Sequence, residues 1–249
     1  MFASNAKRQF RQKGYFLQDE FLTVAECSNL LRKIDEYRRQ HSLTRVFRQH
    51  GERSLNYFVL DGPSVKKYLD SCWKLYRYVN QFVNQLDTFP LIPLRDQRAA
   101  VNINITPPGG EYRWHYDRNR VTALLYLNAV EGGELEFCPK YRISAKGRTG
   151  LATHQQWLDQ ALGNKWMRRI FGGQIRVAAK AGRLIVMRGD LCLHSVRPVT
   201  GNDWRINVVM AYDDPHQTRK VTELDGYLYE PENSYSKDPN YMETKDEYR

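Results

Sequence analysis

The chain has no run approaching 18 consecutive apolar residues, which argues against a helical membrane span; no membrane partner is expected. Its N-terminal stretch carries Lys7, Arg8, Arg11 and Lys13 without an apolar segment of signal-peptide length behind them, so no secretory leader is expected either. Cysteine is scarce: Cys27, Cys72, Cys138 and Cys192 lie far apart and without CxxC spacing. That spacing argues against a zinc ribbon and offers no disulfide framework. Together these absences favour a reducing, cytoplasmic setting. A polybasic run is also missing, although the formal net charge is +10 and the sequence pI about 9.4. The last 36 residues sum to −4 and the remainder to +14. Because the basic residues are scattered and not interleaved with a nucleic-acid motif, nucleic acid is not an expected partner, and the surplus reads as a solvated basic surface.

What is present is a chain with 41% hydrophobic and 12% aromatic residues, enough for a substantial core. Its 249 residues suit one domain with additions. Residues 14–98 read as a helical front. Thr23-Val-Ala-Glu26 has the form of a capping box, followed by Leu30, Leu31, Ile34 and Tyr37 at helical spacing down to about Gln40. A second helix is expected from Pro63, with Val65, Leu69, Trp73, Tyr76, Val79 and Phe82 on its buried face. Between them, Leu43 to Leu60 carries Arg45, Arg48, His50, Arg53, Asn56 and Tyr57 and reads as a surface excursion.

From residue 99 to 213 the pattern is of strands. Val101-Asn-Ile-Asn-Ile105 alternates strictly, so Asn102 and Asn104 point inward if the apolar side packs on the helices. Further strands are expected at about 121–128, 134–138, 183–188 and 205–212. Short strands separated by turns predict a mainly β fold with flanking helices, an antiparallel double-sheet jelly-roll barrel. Residues 139–181 interrupt it as a long basic insertion with a short amphipathic helix ended by Gly163-Asn164; such a length suggests a lid. Within it His154 reads as a surface or cap histidine. Residues 214–249 form a polar, tyrosine-rich tail that could wrap the basic body or assist association.

The chemistry concentrates in Tyr112-Arg-Trp-His-Tyr-Asp117, read with His194 and Arg205. Two imidazoles and a carboxylate, the carboxylate two residues after the first histidine, are the ligand set of a facial-triad non-heme iron site. On an extended segment His115 and Asp117 project to the same side. Arg205 stands where a second strand would bring a planar guanidinium near that site, a shape suited to a carboxylate. Around these residues lie Val121–Asn128, Glu131-Gly-Gly-Glu-Leu-Glu-Phe137, Gly182–Asp190, His194-Ser-Val-Arg-Pro-Val199 and Arg205–Tyr212.

That order of elements resembles the 2-oxoglutarate- and Fe(II)-dependent oxygenases of the prolyl 4-hydroxylase-like branch, well over about 99–213 and loosely over 14–98. The resemblance implies a double-stranded β-helix, and Fe(II), 2-oxoglutarate and O2 as cofactor and cosubstrates, with ascorbate compatible as a reductant. It implies iron ligation by His115, Asp117 and His194. Arg205, eleven residues after His194, matches the basic residue that pairs with the distal carboxylate of 2-oxoglutarate; Arg197 is its rival but precedes a proline in a turn. Family members often place a tyrosine nine residues before the first histidine, where this chain has Thr106. The second anchor therefore falls to Thr106, Asn104 or Tyr126. The implied reaction is oxidative decarboxylation to succinate and CO2 coupled to oxidation of an unactivated C–H. Related halogenases lack this carboxylate; the presence of Asp117 favours hydroxylation here, with desaturation or ring formation as the alternative outcomes of the same oxidation.

Arg118 and Arg120, directly after the metal ligands, point to a small-molecule substrate with a carboxylate or phosphate, or to an amino-acid-like one. A peptidyl, prolyl-type side chain is the alternative substrate, and pairing of these arginines with Glu131, Glu134 or Glu136 is the alternative reading of the charges. A catalytically silent barrel used as a binding module is the non-enzymatic alternative; it has no need for all four of His115, Asp117, His194 and Arg205.

Overall fold

The computed structural model describes residues 2–48, 54–87, 90–143 and 152–215. Its front is helical. α1 (Phe2–Lys13) buries Ala6 and Phe10 and leads into β1 (Tyr15–Gln18). α2 (Val24–Gln40) starts at the expected capping box: Thr23 Oγ1 accepts from the Glu26 amide at 3.2 Å, and Glu26 Oε2 accepts from the Thr23 amide at 2.8 Å. Cys27, Leu30 and Ile34 form its buried stripe.

The helix expected from Pro63 is two helices. α3 (Gly62–Tyr68) is capped by Asp61, and α4 (Asp70–Leu86) begins after Leu69, whose φ of −126° and ψ of 56° are not helical. The break turns α4 so that Cys72, Tyr76, Val79, Val83 and Leu86 face the core. There the Tyr76 hydroxyl donates to the Ala211 carbonyl at 2.8 Å and accepts from the Leu94 amide at 2.9 Å.

The excursion expected over 43–60 is instead a pair of strands, β2 (Thr44–Arg48) and β3 (Leu55–Leu60), in antiparallel register with Val46 opposite Tyr57. His50 and Arg53 lie outside the described residues. Next come β4 (Ile92–Pro93), α5 (Gln97–Ala100), β5 (Val101–Thr106), β6 (Tyr112–His115), β7 (Val121–Tyr126) and β8 (Leu135–Cys138). The insertion supplies α6 (Ala152–Gly163), α7 (Lys165–Phe171) and β9 (Ile175–Val177). β10 (Leu184–Met187), β11 (Leu193–Val196) and β12 (Arg205–Asp213) complete the described chain.

Two antiparallel sheets result, and they are not closed into a barrel. The larger runs β1-β10-β7-β12-β5-β3-β2 with β4 beside β12; the smaller runs β6-β11-β8-β9. The two-residue alternation decides what each face does. Val101, Ile103 and Ile105 of β5, and Ile206, Val208, Met210 and Tyr212 of β12, join the helices in one core. The opposite faces of the same strands carry Asn102, Asn104 and Thr106, and Arg205, Asn207, Val209 and Ala211, into the space between the sheets.

None of the described residues of 139–181 lines that space. In their described part Tyr141, Leu162 and Met167 pack with Trp114, Tyr116, Cys138 and Leu193, behind the small sheet, and none of them lines the cavity between the sheets. The Arg142 guanidinium pairs there with Asp159, and that of Arg168 lies 4.2 Å from the Trp114 ring centre. In these described residues the insertion packs on the small sheet, while Val177 and Ala179 further on join Leu124, Leu135 and Met187 between the sheets. The stretch 144–151, the side chain of His154 and the tail from 216 onward lie outside the described residues.

Candidate active site

Between the two sheets lies a cavity of about 130 Å³. His115 ends β6, His194 stands opposite it on β11, and Asp117 follows two residues beyond the end of β6. The ring centres of the two histidines are 4.0 Å apart. Asp117 Oδ1 lies 3.4 Å from His115 Nε2 and 3.6 Å from His194 Nε2. All three donor atoms fall within 4.8 Å of one another, as a shared metal ion requires.

The backbone fixes the tautomers. His115 Nδ1 is 2.9 Å from the Arg113 carbonyl, and His194 Nδ1 is 2.9 Å from the Cys192 carbonyl. A carbonyl oxygen only accepts, so each Nδ1 carries the proton and each Nε2 keeps a lone pair for a metal. Burial and then the neighbouring His115 push the His194 pKa down to about 4, so its imidazole is neutral at pH 7. Burial acts to raise the Asp117 carboxyl, yet His194, His115 and the Thr122 hydroxyl outweigh it and hold it well below the usual range. Asp117 is an anion there.

A second layer holds that anion. Thr122 Oγ1 donates to Asp117 Oδ2 at 2.5 Å, and Asn119 Nδ2 donates to Thr122 Oγ1 at 2.9 Å and to the Val121 carbonyl at 2.7 Å. The Asp117 amide donates to the Gly189 carbonyl at 2.9 Å. A β-carbon on Gly189 would stand 2.5 Å from Asp117 Oδ2 and 2.7 Å from Thr122 Oγ1. Glycine is required by this approach.

Arg205, at the start of β12, is 2% exposed. Its Nη1 donates to Asn207 Oδ1 at 2.6 Å, its Nη2 to the Tyr126 hydroxyl at 3.3 Å, and its guanidinium lies 4.9 Å from the Tyr126 ring centre. Its Nε has no hydrogen-bond partner, and no carboxylate pairs with it among the described residues. A buried cation in that state is matched by an incoming acid. In contrast, Arg197 sits outside, 3.4 Å from Glu134 and 3.5 Å from Glu136. Thr106 faces Arg205 across the β5–β12 ladder and Asn104 faces Asn207; both line the cavity, whereas Tyr126 lies under the guanidinium.

The two arginines expected at the substrate, Arg118 and Arg120, part ways. Arg118 lines the cavity with Arg205, and no other described arginine does. Arg120 pairs with Asp87, Nε to Oδ2 3.0 Å, with both side chains largely buried, so its charge is engaged outside the cavity.

Several residues here were not singled out from the sequence. Asn207 was legible as the polar position two after Arg205 on an alternating strand; Tyr57, named from the sequence only within the 43–60 excursion, lines the cavity. Gly189 gave no local signal, since the Asp117 and Thr122 side chains it meets come from a distant part of the chain, and Thr122, though only five residues after Asp117, reads as one more position of the β7 run.

The donor set fits a ferrous ion, and Arg205 with its unpaired donor fits a dicarboxylate bound beside it. Residues 101–212 match the family model of the 2OG-Fe(II) oxygenase superfamily. A search of curated proteins found no sequence match. Among solved structures the chain resembles the α-ketoglutarate-dependent carbocyclase SnoK from nogalamycin biosynthesis, with a TM-score of 0.68 at 16% identity over 93% of each chain. It also resembles the epimerase SnoN in complex with Fe3+, α-ketoglutarate and nogalamycin RO, with a TM-score of 0.62 at 14% identity over 86% of this chain and 84% of that one. A Pseudomonas putida prolyl-4-hydroxylase gives a TM-score of 0.51 at 18% identity over 85% and 98%. At these identities the likenesses establish a shared fold.

Proposed function

We propose that this chain, whose residues 101–212 belong to the 2OG-Fe(II) oxygenase superfamily, hydroxylates an unactivated C–H bond of a small anionic or amino-acid-like molecule. The observation that carries this reading is one cavity holding both a His-Asp-His cluster and a buried guanidinium with an unpaired donor. His115, Asp117 and His194 would hold the iron, and Arg205 the distal carboxylate of 2-oxoglutarate through its planar fork. When bound, ferrous iron and 2-oxoglutarate supply, with O2, an oxidative decarboxylation that leaves succinate, CO2 and one oxygen atom for the substrate.

The remaining roles belong to the protein's own groups. Tyr126 and Asn207 fix the Arg205 fork before the cosubstrate arrives, which lowers the ordering cost of binding. Thr122 turns Asp117 so that Oδ1 faces the imidazoles. Leu124, Leu135, Met187 and Val196 wall the cavity with apolar surface and keep bulk water from the reacting centre. Arg118, on the cavity wall beside the ligand-bearing segment, supports an anionic substrate. The likeness to enzymes of nogalamycin biosynthesis supports a small molecule, and the likeness to a prolyl-4-hydroxylase keeps a peptidyl side chain as the second reading.

The test is a screen for substrate-dependent succinate release across amino acids, their acylated and phosphorylated relatives, and peptides. Turnover of a small acid, with a KM raised by Arg118→Ala, is the expected result. Coupled turnover with peptides alone would replace it with the second reading.

A further inference from the structure

The described residues expose eight large hydrophobic side chains, and five of them fall between residues 143 and 171: Ile143, Trp157, Trp166, Ile170 and Phe171. α7 concentrates them. Its inward side is already occupied, with Met167 packed into the cluster behind the small sheet and the Arg168 guanidinium on Trp114. Its outward side nevertheless carries Trp166 at 69% exposure and Ile170, one turn later, at 67%, with Phe171 beside it at 66%. A helix apolar on both sides calls for a second covering surface.

Charge narrows what that surface is. Lys165 and Arg169 stand exposed among these side chains, and no carboxylate pairs with either among the described residues. The segment 139–181 holds nine Lys and Arg against the single acid Asp159, which Arg142 already engages. A second copy of the same face would bring like charges together, so a symmetric dimer through it is disfavoured. Nucleic acid would use the cations and the rings, but gives aliphatic Ile170 nothing to stack on. Indole, phenyl and branched aliphatic groups rimmed by cations match the boundary between headgroups and acyl chains in an anionic bilayer.

We propose that the α6–α7 face is a peripheral docking surface for an anionic lipid bilayer, with Trp166, Ile170 and Phe171 entering the interface and Lys165 and Arg169 pairing with headgroup charge. No helix among the described residues is long and apolar enough to cross a membrane, so the contact is superficial and reversible. The face lies behind the small sheet, and none of these residues lines the cavity, so docking leaves the candidate active site its own access.

The experiment is co-sedimentation of the full chain with vesicles of phosphatidylcholine alone and with vesicles of equal parts phosphatidylcholine and phosphatidylglycerol, together with tryptophan emission. Binding to the mixed vesicles alone is expected, with a blue-shifted emission and loss of binding at high salt. Lys165→Glu with Arg169→Glu should weaken partitioning by about tenfold or more, on the scale of roughly fivefold per basic residue near an anionic surface. Trp166→Ser with Ile170→Ser should abolish the emission shift while thermal unfolding and succinate formation stay at wild-type level. Absence of binding to the mixed vesicles would overturn the proposal. So would equal binding by both double variants, tighter binding to an oligonucleotide than to vesicles, or a dimer that Ile170→Ser dissolves.

Discussion

Thr122 Oγ1 donates to Oδ2 of Asp117 at 2.5 Å, and this bond leaves Oδ1 as the carboxylate oxygen facing both imidazoles. Partners that orient a metal ligand typically contribute 10–100-fold in affinity or activity. Thr122→Val keeps the side-chain shape and removes the donor. It should weaken Mn(II) or Co(II) binding by about tenfold or more at near wild-type stability. Titration of the metal-free protein by calorimetry measures this, and unchanged affinity would remove the positioning role.

Gly189 offers a steric test of the same corner. A methyl group there meets Asp117 Oδ2, Thr122 Oγ1 and Asp117 Cβ, the last at 2.8 Å. Gly189→Ala should cost about 1–3 kcal/mol of stability, the usual range for overpacking, and should weaken metal binding because Asp117 is the group displaced. Denaturant unfolding paired with the metal titration separates the two effects. A variant that binds metal normally would contradict the geometry.

For the cosubstrate, Arg205→Ala should raise the KM for 2-oxoglutarate by well over tenfold, since leaving a buried charge partner unpaired costs about 2–5 kcal/mol. Arg205→Lys keeps the charge but not the fork held by Asn207 and Tyr126, and should recover only part of the loss. Steady-state kinetics check both. A larger effect from Arg197→Ala would transfer the role to Arg197.

Stability in acid should report the Asp19 cluster. The Arg183 hydrogen bond, assisted by Lys180, overcomes the effect of burial and lowers the Asp19 pKa from 3.8 to about 2. A depressed carboxylate stabilises the fold above its ordinary pKa and loses that contribution as pH falls through the folded value. The difference in unfolding free energy between wild type and Asp19→Asn should therefore be full above about pH 4 and disappear near pH 2. Because Asp19 is partly exposed, solvent screening keeps the difference within about 1 kcal/mol. A gap that persists unchanged at pH 2 would count against the assignment.

Much of the fold was legible wherever a pattern is local. The Thr23–Glu26 box lies within one turn, and the alternation in Val101–Ile105 and Arg205–Tyr212 depends only on neighbours, so α2, β5 and β12 followed from spacing. Of the metal-ligand candidates, His115 and Asp117 are two residues apart, while the distant His194 joined them through the order of elements that resembles the oxygenase family. What was not legible depends on distant partners. Leu55–Leu60 sits in a stretch whose Arg45, Arg48, His50 and Arg53 make it read as a surface excursion, until β2 and β5 supply the ladders that make β3 a sheet strand. Arg120 looks like a substrate group until Asp87, 33 residues earlier, claims it. The break at Leu69 satisfies the packing of α4 on β12 through Tyr76 and Ala211, which no helical stripe encodes. The insertion at 139–181 has the length and charge of a lid, and only the apolar back of the small sheet, presented by Trp114, Tyr116 and Leu193, shows where its Tyr141, Leu162 and Met167 rest.

The most direct test of the central claim measures succinate formed from 2-oxoglutarate by wild type and by His115→Ala, Asp117→Ala and His194→Ala, each with ferrous iron and O2. Circular dichroism on the same samples verifies that each variant is folded. Wild type should form succinate, and each folded variant should lose that turnover to the level of the iron-free control. Normal succinate formation by a folded His194→Ala variant would contradict the assignment of the site.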